Sequence, residues 1–111
     1  MRVSRASFIG LAMCAMPSIC HAAMPHYDVA AHCKVIASVG GTYSEMMYDG
    51  CFKMEQVSYD NLKSRWEMLP GNLQAHCDEI ARVGGTASYS MLEGCIQMEE
   101  QAGSTHNTFK Y

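Results

Sequence analysis

The chain has 111 residues with a formal net charge of −3, six cysteines and ten methionines. An acidic chain of this kind lacks the basic surface that holds phosphate backbones, which excludes nucleic-acid binding, and it is equally unsuited to an anionic bilayer. Six cysteines in so short a sequence point to an oxidising compartment.

Residues 1–22 read as a signal peptide. Arg2 and Arg5 form a basic start, Phe8 to Ile19 is an almost uncharged apolar run, and Cys20-His21-Ala22 offers small residues for cleavage after Ala22. The run is shorter than the roughly 20 residues a bilayer span requires, so no membrane span is expected after cleavage. A lipidated Cys20 is the weaker alternative, because Pro17-Ser18-Ile19 lacks the small residue that normally precedes such a cysteine. Cleavage leaves Lys34, Lys53, Lys63, Arg65, Arg82 and Lys110 against all eleven acidic residues, a net charge of −5. The expected location is periplasmic or secreted. The remaining segment, 23–111, has the length of one small domain, whose core is marginal without reinforcement.

That segment contains a duplication, 28–59 and 72–103, at an offset of 44. His32-Cys33-x-x-Ile36-Ala37-x-Val39-Gly40-Gly41-Thr42 returns as His76-Cys77-x-x-Ile80-Ala81-x-Val83-Gly84-Gly85-Thr86. Ser44, Met47, Gly50-Cys51 and Met54-Glu55 return as Ser88, Met91, Gly94-Cys95 and Met98-Glu99. In each copy Gly-Gly-Thr reads as a helix stop followed by a start, with Thr42 and Glu45 spaced as a capping box. Cys33 lies seven residues before Gly40 and Cys51 seven after Ser44, so an antiparallel hairpin brings the two sulfurs level. The same spacing holds for Cys77 and Cys95. The expected disulfides are therefore Cys33 with Cys51 and Cys77 with Cys95.

Helical periodicity places Val29, His32, Ile36 and Val39 on one stripe and Met47, Gly50, Met54 and Val57 on the facing one, with cysteine at the edge. The second copy repeats both stripes. On this reading the stripes form the core and the disulfides flank it. Residues 60–71 form a helical linker, either an extension of the second helix or a short helix with Asp60 as its cap. Pro70-Gly71-Asn72 then breaks the chain, Asn72 caps the third helix, and 103–111 is a frayed tail. The expected fold is all-α, two disulfide-closed antiparallel hairpins related by an approximate two-fold and packed as a small four-helix bundle.

His32 and His76 stand in the middle of otherwise apolar stripes. As core residues they pair with a backbone carbonyl or with Glu55 and Glu99, packing over Gly50 and Gly94 through close helix approach. As metal ligands they would combine with Met54, Met98, Glu55 or Glu99 around copper or zinc. Tyr43, Met46, Tyr48, Phe52 and Trp66 are candidates for a partner surface, whereas Met47, Met54, Met91 and Met98 are expected in the core. The chain has no Cys-x-x-Cys, no nucleophile elbow and no glycine-rich phosphate loop. It therefore reads as a non-enzyme without a cofactor: a structural or protein-binding module, with periplasmic metal binding as the alternative.

Cys-x-x-Ile-Ala-x-Val-Gly-Gly-Thr followed by Gly-Cys-x-x-Met-Glu resembles small secreted bacterial proteins of uncharacterised function that carry one or two such units. The resemblance covers both repeats and brings no activity with it. The chain is also similar in outline to the twin-cysteine hairpins of the mitochondrial intermembrane space. Those carry two cysteines on each helix where this chain has one, so their roles are not transferred.

Overall fold

The computed structural model describes residues 23–105 and 108–111, so the expected signal peptide lies outside the described residues. Those residues form four α-helices and no strand: α1 (Val29–Ala37), α2 (Glu45–Lys63), α3 (Gly71–Ala81) and α4 (Tyr89–Thr105). A single 3-10 turn, Trp66–Met68, separates α2 from α3.

Local chemistry sets these boundaries. Asp28 caps α1 by accepting the Ala31 amide at 3.0 Å. After α1, Gly41 takes φ 92°, a left-handed value that a side chain would strain, and Gly85 repeats it at φ 98°. The Ser44 amide donates to the Ala37 carbonyl at 3.0 Å and closes that turn. Ser44, and not the expected Thr42, therefore caps α2, accepting from the Met47 amide at 3.2 Å. Ser88 does the same for the Met91 amide at the start of α4. Helix α3 begins directly after Pro70, which places Asn72 inside the helix and not at its cap. The linker combines both expected forms: α2 runs through Asp60 to Lys63, and the 3-10 turn follows.

Disulfides Cys33–Cys51 and Cys77–Cys95 close the hairpins α1–α2 and α3–α4, each with Cα atoms 5.6 Å apart. The connectivity is the one implied by the equal arms of the repeat. The core, however, is not the expected stripe. Cys33, Ala37, Cys77 and Ala81 are fully buried, while Val39, Met54, Val57 and Met98 are each more than half exposed. A sulfur bridge this short requires both cysteines to point straight at the facing helix. Residues four positions on, Ala37 and Ala81, share that inward face. The stripe through His32, Ile36 and Val39, shifted one position along the sequence, is rotated by about 100° toward solvent. The disulfides thus occupy the hairpin interface and do not flank it.

The two hairpins join through α2 and α4. Leu62, Trp66 and Leu69 from the first meet Tyr89, Leu92 and Ile96 from the second, all buried. Trp66, only 2 % exposed, belongs to this core and not to a partner surface, because the 3-10 turn folds it inward, where Gln74 Nε2 donates to its carbonyl at 2.8 Å. The segment before α1 ties across the junction. The Tyr27 hydroxyl donates to Asp78 at 2.6 Å, its amide donates to the Tyr89 hydroxyl at 2.8 Å, and the two rings stack at 4.5 Å.

Paired contacts run in the same sense along both helices: Glu55 with Tyr89, Ser58 with Ser90, Asn61 with Glu93. Helices α2 and α4 are therefore parallel. Tyr89 corresponds to Glu45 in the repeat and Glu93 to Asp49, so the second hairpin is advanced by ten to twelve residues, about 15–18 Å at the usual helical rise of about 1.5 Å. An advance of this kind is not the expected two-fold, which would set Glu99 against the start of α2. Glu99 instead pairs with His76 of its own hairpin.

Replacing Cys33 and Cys51 together by alanine is expected to lower stability by about 3 kcal/mol through the lost loop constraint alone, and further through the cavity left at a buried site. Urea denaturation of the variant against the wild type measures the difference.

Candidate functional site

Glu55 is the centre of the junction. It lies on α2, is 3 % exposed, and aims its carboxylate at the N-terminus of α4. Oε1 accepts the Tyr89 amide at 2.6 Å, and Oε2 accepts the Ser88 hydroxyl at 2.8 Å and the Ser90 amide at 3.3 Å. These amides belong to the first turn of α4, which has no intrahelical acceptor for them, and the helix dipole adds to the attraction. One hairpin therefore supplies the cap that the other hairpin's helix requires.

His32 sits beside this cap. Its Nδ1 lies 3.0 Å from the Thr86 hydroxyl and its Nε2 4.0 Å from Glu55 Oε2. The second copy keeps the pair, with His76 Nε2 3.4 Å from Glu99, but there both side chains are about half exposed. Each histidine lies within 4.0 Å of the carboxylate of its own repeat, one of the two partners expected for it beside a backbone carbonyl, but His76 is half exposed and not a core residue. The joint metal set does not assemble: among the described residues no three His, Cys, Asp or Glu side chains gather around a common point. The two histidines are not brought together: His32 lies at the junction, against Thr86 and Glu55, while His76 stays with Glu99 of its own hairpin.

Against His32 and Glu55 runs a groove of about 380 Å³, walled by Ile36, Met47 and Met54 and floored by Gly50 and Cys51. The starts of the two second helices differ here, since Ser88 and Ser90 of α4 close one end of this groove. Gly50 does not serve close helix packing: a methyl group built on it, or on Gly94, would meet nothing within 4 Å. The glycine instead keeps the groove floor low. Methionines expected in the core line this surface; Met47 is 41 % exposed and Met54 64 %. Flexible thioethers flank an open glycine, with an imidazole and a carboxylate at one end.

A second aromatic patch lies on the outer face of the first hairpin. Tyr43 lies tilted against Tyr48 and Tyr48 stacks on Phe52, with ring centroids 6.2 and 6.0 Å apart, and Met46 beside them is 81 % exposed. Of the five residues expected on a partner surface, Tyr43, Met46 and Phe52 are exposed, Tyr48 is half-buried and Trp66 is buried. The groove was missed because its residues were assigned to the core. The exposed-glycine signal, one costly helical glycine in each repeat, was present in the sequence but was read as close packing.

No protein-family model, curated protein or solved structure matches the chain.

Removing the Glu55 carboxylate by Glu55→Ala leaves two helix-start amides and a hydroxyl without their buried acceptor, and is expected to cost about 2–4 kcal/mol. Glu99→Ala, at an exposed position, is expected to stay within about 0.5 kcal/mol of wild type. Thermal and urea melts of the two variants measure this contrast. Burial, reinforced by the hydrogen bond to Asp78, pushes the Tyr27 phenol well above its ordinary value. The folded state therefore favours the neutral phenol, and its contribution is complete below the unfolded value of about 10 and is lost as pH rises beyond it. Stability should fall above that pH, and less steeply in Tyr27→Phe, as followed by urea midpoints across the alkaline range.

Proposed function

We infer that the chain is an exported, non-enzymatic binding module that accepts an apolar segment of a protein partner in the groove between α1 and α2. The observation that carries this reading is the exposure of the repeated methionines, Met47 and Met54 beside a partly buried Ile36. Residues with helical apolar periodicity stand on the surface beside a glycine that leaves space open. Exposed apolar faces of this kind commonly mark interaction sites in small soluble proteins. Two disulfides support export, since such bonds persist in oxidising compartments, and the sequence resemblance to small secreted bacterial proteins points the same way. Among the described residues no helix is long and apolar enough to cross a membrane. The disulfides hold each hairpin rigid, so the groove is formed before a partner arrives and ordering costs little on binding.

Gly50 provides a test that separates binding from folding. Gly50→Ala should raise stability by about 1 kcal/mol, because glycine is the poorer helix former and the added methyl has room. Gly50→Leu should fold equally well while filling the groove. A photocrosslinking residue at Met47, used in cells that export the protein, is expected to give a discrete adduct that disappears with Gly50→Leu. An adduct unchanged by Gly50→Leu would overturn the groove as the binding surface.

A further inference from the structure

We propose that the contact between the two hairpins is also the contact between successive copies of the chain, so that the protein assembles head to tail through the same screw displacement that relates its repeats.

The internal junction uses a donor surface on the first hairpin and an acceptor surface on the second. The donor contributes Glu55 and His32; the acceptor contributes Thr86, Ser88 and the first amides of α4. Because the sequence is duplicated, each surface exists twice, and the second set is unused. Glu99 and His76 repeat the donor at one end of the chain, already paired at 3.4 Å and half exposed. Thr42 and Ser44 repeat the acceptor at the other end, where the exposed Glu45 and Met46 positions begin α2 and no carboxylate among the described residues caps them.

The apolar part of the acceptor is repeated as well. Leu92 and Ile96 are fully buried, whereas their counterparts are not: Tyr48 is half-buried and Phe52 is 41 % exposed. Larger rings at these two positions suit an interface that must hold without a covalent linker. The donor end lacks direct counterparts of Leu62 and Trp66, since the repeat stops at 103. Phe109 and Tyr111 follow α4 there, and both are exposed. They supply apolar mass at the corresponding end.

An interface that joins two different surfaces through a displacement is heterologous, and its repetition does not close on itself at two copies. This separates the proposal from an ordinary two-fold dimer. Sedimentation equilibrium of the purified protein with its disulfides intact is expected to give an average mass that rises with concentration past two chains. Glu99→Ala disables the donor and Phe52→Glu the acceptor, and each alone should sediment as a single chain with an unchanged melting temperature. Mixed in equal amounts they retain one intact junction, and should form species of two chains and no larger. Met46→Glu serves as the acceptor variant if Phe52→Glu fails to fold. A wild type that remains one chain throughout, a wild type that stops at a dimer, or a mixture that does not associate would each overturn the proposal.

Discussion

A disulfide holds two Cα atoms within roughly 4.4–6.8 Å, and in this chain that reach decides which side of every helix is inside. With both bridges at 5.6 Å, each cysteine must face its partner helix directly. The alanine one turn later follows it into the interface, and small residues there allow the helices to approach. All else is placed by rotation from that line. Val39 turns outward on α1, with Ile36 and His32 partly buried, and Met47 and Met54 turn outward on α2; the repeats of all five are exposed on the second hairpin. A hairpin stapled in this way does not need the long apolar side chains of its own sequence to hold together, and they become available as surface.

The second constraint is the joining of the hairpins, where a carboxylate and a helix terminus are matched. Glu55 leaves solvent to satisfy the first amides of α4, and apolar side chains from the linker, the N-terminal segment and α4 close around it. The advance of one hairpin over the other places the C-terminal half of α2 against the N-terminal half of α4. Equivalent positions of the repeat therefore have different surroundings. Leu92 and Ile96 are core while Tyr48 is half-buried and Phe52 exposed, and Glu55 is buried while Glu99 is half exposed. The same displacement walls the groove at His32 with Ser88 and Ser90 at the start of α4, and leaves the start of α2 with its Ser44 cap alone and Glu99 half exposed.

Much of the fold was legible before any coordinates. The duplication, the turn at Gly-Gly-Thr, the level positions of the cysteines and the break at Pro70 all follow from local spacing, and local spacing survives folding. The face assignment failed because hydropathy ranks Ile36 and Met54 above Ala37, while a covalent bridge outweighs that ranking. Trp66 was placed outside because periodicity does not extend through the 3-10 turn that folds it inward.

The four helices, their pairing into hairpins and the bond within each pair were readable from the chain alone, since they depend on residues close together in it. How the hairpins meet was not, because two similar units can be related by rotation or by displacement with the same local signals. Glu55 settles it: its carboxylate caps the start of α4, and the advance of the second hairpin along the axis brings that start within reach.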